Sequence, residues 1–145
     1  DFAQKIRNRK ISLIHGDFNY KNVLIHNNTV FIIDFEETNF GDPSMDVGTM
    51  LGHLFIYYYL YNKCESAIRG FWNKYVSIIP ENEKNEFEKD VLLHLGASML
   101  LRSQGIVQMI ATKEEKEKIS KIAENIIFNE TSVMNCLKSV EQSPD

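Results

Sequence analysis

Two short apolar segments, Val23-Leu24-Ile25 and Val30-Phe31-Ile32-Ile33, flank Asn27-Asn28, and this arrangement constrains the chain more than any other feature. Asparagine tolerates the positive φ that a two-residue hairpin turn requires, so the spacing predicts a β-hairpin over residues 23–34. The second strand is continuously apolar, which predicts burial on both faces. It delivers Asp34 to its end, where a loop takes over. Another loop precedes the hairpin: it opens at His15-Gly16-Asp17, after the apolar run of residues 11–14, and closes at Asn22. The hairpin thus brings Asn22 and Asp34 to one edge.

Beyond Asp34 the periodicity changes. Residues 35–45 read as a loop containing Gly41-Asp42-Pro43, in which Pro43 closes off regular structure and Ser44 or Asp46 is placed to cap a helix. The remainder reads as helical, in segments 46–61, 65–78, 82–111, 114–129 and 131–139. Pro80 separates the second from the third, and Thr112 is a candidate N-cap for the fourth. In the third, Phe87, Val91, Leu92, Leu95, Met99 and Leu100 recur at three- and four-residue spacing, an amphipathic core face. Residues 1–10 read as the last turns of a helix, and residues 142–145 as a frayed tail. The expectation is an α+β fold in a single domain over residues 1–145, a short β-hairpin in front of a mainly helical body.

A net charge of −4 lacks the basic stripe of a nucleic-acid surface. Its distribution is more informative. Asp17, Asp34, Glu36, Glu37, Asp42 and Asp46 fall in one stretch whose only Lys or Arg is Lys21. That pattern suits a solvated loop, a divalent metal or a cationic substrate; Glu37 and Asp42 read as loop solvation or capping. Cys64 and Cys136, far apart, read as reduced packing thiols of a cytoplasmic protein, and His15, His26, His53 and His94 lack the spacing of a zinc site. The apolar run of residues 55–61 is far below the ~20 residues of a membrane span, and no signal peptide is visible. Its tyrosines read as helix packing, with stacking of one on a cationic substrate as the alternative. Arg102, on an apolar helix face, is expected to pair with an acid.

The chemistry resides in the two loops. A kinase catalytic loop reads H-R-D-x-x-x-x-N and its metal-binding motif D-F-G; this chain has His15-Gly16-Asp17, then Asn22, then Asp34-Phe35-Glu36. Phosphoryl transfer needs a base for the acceptor hydroxyl and metal ligands that hold the phosphates in line. Asp17 suits the first role. Asn22 offers a neutral amide oxygen and Asp34 a charged one, and Mg²⁺ favours few carboxylates plus phosphate oxygens. His15 reads as a brace for the loop.

Residues 15–25, 32–36 and 41–47 resemble the aminoglycoside phosphotransferase and choline kinase-like superfamily, most densely over residues 11–52. The resemblance implies a kinase-like C-terminal lobe that uses ATP (or GTP) and Mg²⁺ to phosphorylate a small hydroxyl compound, with a cationic acceptor one option. It makes Asp17 the catalytic base, Asn22 and Asp34 the Mg²⁺ ligands, and Asp46 the acceptor of hydrogen bonds from the catalytic-loop backbone. Glu36, where protein kinases have Gly, points to small-molecule kinases. The family's Gly-rich loop and its Lys with a partner Glu are not among these residues, so an N-terminal nucleotide-binding lobe is expected to be absent from this chain. The isolated chain is then expected to be inactive and to self-associate through apolar groups near Ile11, Leu13 and the hairpin. The alternative is a non-catalytic lobe acting as a binding module. A two-metal nuclease built on the acids would lack a basic groove.

Overall fold

A computed structural model describes residues 12–105, 111–130 and 132–138. The helix expected over residues 1–10, the apolar Ile11 and the tail at 142–145 lie outside the described residues. The elements are β1 (Ser12–Ile14), a 3₁₀ turn (Tyr20–Asn22), β2 (Val23–His26), β3 (Thr29–Ile32), β4 (Asn39–Gly41), α1 (Pro43–Tyr61), α2 (Glu65–Val76), α3 (Lys84–Ser103), α4 (Lys113–Asn129) and α5 (Val133–Lys138). The fold is α+β: small antiparallel sheets in front of a helical body.

The hairpin forms where the asparagines place it. Strands β2 and β3 pair from Val23↔Ile32 to His26↔Thr29. The turn holds Asn27 at φ 47° and Asn28 at φ 59°, the two left-handed positions of a type I′ turn. Burial of the second strand is not observed: Val30 is 61% exposed, Phe31 48% and Ile32 43%. The ribbon pairs only with itself as a two-stranded sheet, so both its faces stay open among the described residues.

The supposed loop of residues 35–45 contains a strand. Residues of β4 pair antiparallel with β1, Ser12↔Gly41 through Ile14↔Asn39. Three residues are too few to display a period, which is why the sequence conceals them. The pairing places the start of α1 directly behind the His15 loop. Asp42, not Ser44 or Asp46, caps that helix, its carboxylate accepting the Ser44 backbone N–H at 2.9 Å. Pro43 then sits in the first turn, where its fixed φ and missing N–H carry no penalty.

Helix α3 ends at Ser103 rather than at 111. Gly105 at φ 80° turns the chain out of the helix, and the Ser103 hydroxyl donates to the Leu100 carbonyl at 2.9 Å. The apolar residues that prolonged the pattern, 106–110, lie outside the described residues. Helix α2 stops at Val76, two residues short of its expected end. Helix α4 begins in a reciprocal capping box: Thr112 Oγ1 accepts from Glu115 N at 3.2 Å and Glu115 accepts from Thr112 N at 2.7 Å.

The core lies between α1, α3 and α4, around Leu51, Phe55, Val91, Leu95, Met99, Ile119 and Ile126. Burying each such side chain contributes about 1.5–3 kcal/mol. Gly48 and Gly52 let α1 and α3 approach closely. A Cβ at Gly48 would stand 2.4 Å from His94 Cβ, and one at Gly52 2.9 Å from Ser98 Cβ. Two buried tyrosines of α1 tie down α5, Tyr58 donating to the Leu137 carbonyl at 3.1 Å and Tyr59 to that of Cys136 at 2.7 Å. Neither Cys64 nor Cys136 is in a disulfide. Among the described residues no helix is long and apolar enough to cross a membrane.

Candidate active site

The loop between β1 and the 3₁₀ turn is fixed from three sides. Gly16 has φ 87°, and a Cβ there would lie 2.4 Å from the Glu37 carbonyl oxygen; only glycine lets the loop rest against the turn after Asp34. Asp46, from the first turn of α1, accepts the backbone N–H of His15 at 2.7 Å and that of Gly16 at 3.0 Å, one on each carboxylate oxygen. His15 is buried, and its Nε2 lies 2.9 Å from the Ile33 carbonyl oxygen. A carbonyl can only accept, so Nε2 is the donor, and Nδ1 is the ring's other nitrogen. That Nδ1 is buried without a hydrogen-bond partner. The imidazole ring packs on Phe35 at 4.9 Å, connecting the two loops a second time.

On this frame Asp17 and Asn22 meet. The Asn22 side-chain amide donates to the Asp17 carbonyl at 3.0 Å and to its carboxylate at 3.3 Å. With the NH₂ side thus oriented, Oδ1 faces away. The Asn22 carbonyl accepts from Ile33 N at 3.0 Å, so the hairpin ladder continues to the residue before Asp34. Asp34 itself is exposed and adopts φ 69°, a left-handed conformation uncommon outside Gly, Asn and Asp. Its side chain makes no hydrogen bond with a described residue.

Asn19 organises the same loop and escaped the sequence reading. It is buried; its Oδ1 accepts from Lys21 N at 3.0 Å and its Nδ2 donates to the Asp17 carbonyl at 3.1 Å. An Asn two residues after Asp17, at the start of a short turn, was the available signal, since Asx side chains cap such turns.

The run of acids does not become one cluster. Asp42 is spent on the α1 cap and Asp46 on the loop backbone, while Glu36 and Glu37 sit exposed in a turn. Among the described residues no group of three or more His, Cys, Asp or Glu side chains could hold a metal ion. What Asp34, Asn22 and Asp17 offer is oxygen alone. That donor set fits a hard cation such as Mg²⁺ completing its shell with ligand oxygens, and does not fit zinc.

On its α1 side the loop meets an aromatic wall that the sequence did not reveal. Tyr20 packs edge-on against His53 at 5.5 Å and Tyr57 at 5.3 Å, and the Tyr20 and Tyr57 hydroxyls are 3.0 Å apart. Burial, with the Tyr57 hydroxyl beside it, pushes the Tyr20 phenol up to about 12. Burial also pushes His53 down to about 3, aided by the charges of Arg102 and Lys21, so its imidazole is neutral. Arg102, in the last turn of α3, is half-buried and makes no ion pair with a described residue; the expected pairing with an acid is not observed. Burial lowers its guanidinium from the ordinary value, while the negative field of Asp17 pulls the other way.

The hairpin, the braced loop and the helical body behind them have the α+β architecture of a kinase-like helical lobe. The family model described as the phosphotransferase enzyme family matches residues 2–75, just over half of the 145. The chain belongs to that family. The match spans β1 through α2 and so includes Asp17, Asn22, Asp34 and Asp46, whereas Arg102 lies beyond it. Comparison with the curated proteins finds none that matches.

Proposed function

We propose that this chain is the catalytic lobe of an ATP-dependent kinase that transfers the γ-phosphoryl group to a hydroxyl of a small molecule. The observation that carries the reading is the convergence of Asp17 and Asn22, 3.3 Å apart, at the edge where the strand before Asp34 ends. In this reading the Asp17 carboxylate accepts the proton of the acceptor hydroxyl, and the Asn22 amide keeps it aimed. Asn22 Oδ1 and the Asp34 carboxylate would hold Mg²⁺, which with ATP supplies the activated phosphoryl group. Asp46 and His15 keep the loop from relaxing, so positioning, the main resource in this chemistry, is built into the fold.

The open faces of the hairpin support a second element of the proposal. An N-terminal nucleotide-binding lobe outside these 145 residues would cover them and supply the phosphate loop. The same faces also suit the alternative, a non-catalytic lobe that binds a partner protein there. Measuring Mg²⁺-ATP binding and hydroxyl-dependent ADP release with the full-length protein separates the two. Nucleotide binding with acceptor-stimulated ADP release is expected; a folded protein that binds no nucleotide would favour the binding module.

A further inference from the structure

The flank of Asp17 that faces α1 carries positive charge. Tyr20, three residues from Asp17, lies edge-on over His53 and Tyr57, so the middle of α1 floors this side of the loop. Helix α3 runs against α1 where Gly52 meets Ser98. Arg102 is one turn beyond Ser98, which brings it alongside the next turn of α1, and its charge is felt by both His53 and Tyr20.

Three facts make this arginine unusual. It is half-buried, it donates no hydrogen bond to a described residue and it has no ion-pair partner among them. Partial burial of a guanidinium costs free energy that is normally offset by an anion. Asp17 lies within its field, yet one Asp17 oxygen is already directed to Asn22. Lys21, exposed in the same turn, adds a second positive charge.

We infer that Arg102, with Tyr20 and Tyr57 beside it, forms the acceptor side of the site and selects a hydroxyl compound bearing a carboxylate. The planar guanidinium suits a bidentate grip on that group, and the paired phenols supply hydrogen bonds and a flat apolar face. This inference rests on the kinase reading above and narrows its acceptor from any small hydroxyl compound to a hydroxy acid.

The test uses the full-length protein, Mg²⁺-ATP and acceptors matched in carbon skeleton: hydroxy acids, their amides and the corresponding amino alcohols. ADP release should be stimulated by the hydroxy acids. Arg102→Met should lower kcat/KM for them by about 10- to 100-fold, the range for a lost charged hydrogen bond, and Arg102→Lys should restore part of it. The KM for ATP should stay unchanged in both variants, and melting curves confirm that each is folded. Should Arg102→Met unfold the protein, the preference of the wild type and of Arg102→Lys decides. Stimulation by amino alcohols, equal stimulation by all three classes, ATP binding without stimulation by any hydroxy acid, or a uniform fall in kcat for every acceptor in Arg102→Met would overturn the inference. Those results would leave the kinase reading standing. A folded wild type that neither binds nor turns over Mg²⁺-ATP would overturn both.

Discussion

Asp46 accepts the backbone N–H of His15 at 2.7 Å across thirty-one residues of sequence. With the second bond to Gly16 at 3.0 Å, one carboxylate fixes the start of the loop that presents Asp17. Removing it leaves two partly buried donors without an acceptor, at about 1–3 kcal/mol each. Asp46→Ala should therefore melt several degrees below the wild type and lose activity as well. Thermal unfolding by circular dichroism checks it; an unchanged melting temperature would show that the loop holds itself.

Asp34→Ala should weaken Mg²⁺-nucleotide binding more than any other single change in the described residues. Asp34 is the charged oxygen the site can offer outward, and Asn22 supplies only an amide dipole. Calorimetric titration of Mg²⁺-ATP into the full-length variant measures this. The removal of a left-handed Asp from φ 69° also predicts some loss of stability, since Ala tolerates that conformation less well. Unchanged nucleotide affinity would redirect attention to Glu36.

The buried histidine of α1 gives a pH dependence of definite sign. His53 titrates at about 3 when folded and near 6.5 when unfolded. The unfolded state therefore binds the extra proton first, and the stability present above pH 6.5 is lost progressively as pH falls toward 3. The slope from this residue approaches about 1.4 kcal/mol per pH unit once the unfolded imidazole is protonated. His94, also lowered by burial, contributes with the same sign. His53→Gln should flatten the denaturant-derived stability curve between pH 6.5 and 4.5, above the range where most carboxylates titrate. An identical curve in the variant would mean that His53 titrates alike in the folded and unfolded states.

The isolated chain should self-associate through its hairpin. Leu13 is 66% exposed, and Ile25 and Val30 add apolar surface on the ribbon; an unpaired apolar ribbon edge invites another chain. Light scattering across a concentration series should show mass rising with concentration, and Ile25→Lys with Val30→Lys should suppress the rise. A monodisperse monomer in the unmodified chain would show that the ribbon needs no cover.

The legible part of this fold was local. Asn27-Asn28 announced a two-residue hairpin turn because few other residues adopt two consecutive positive φ values, and Thr112 stood out as a candidate cap of the helix that follows it. The face from Phe87 to Met99 was readable because a helix must repeat its apolar side. What stayed hidden depended on partners distant in sequence. Strand β4 exists because Ile14 and Asn39 pair across the loop, and Arg102 stands near Asp17 only because Gly52 lets α3 close on α1. The apolar Val30-Phe31-Ile32 segment was read as buried on composition alone, but burial needs a covering surface, and none of the described residues provides one. Of the candidate site, motif spacing singled out Asp17, Asn22 and Asp34, while Asp46 came from the family resemblance alone, which implied the backbone contacts it makes with His15 and Gly16. The bracing by Gly16 stayed hidden because a close approach leaves no period in the sequence, and that by Asn19 was legible only as an Asx residue at the start of a short turn.

The most direct test of the account is steady-state phosphoryl transfer by Asp17→Asn in the full-length protein. This substitution keeps the shape of the side chain and a group that can face Asn22, and removes the ability to take a proton. The account predicts that kcat falls by about 10²- to 10⁴-fold while the KM for ATP is unchanged, as expected when a base acting in the transition state is lost. Turnover at the wild-type rate in Asp17→Asn, with the same acceptor and Mg²⁺-ATP, would contradict it.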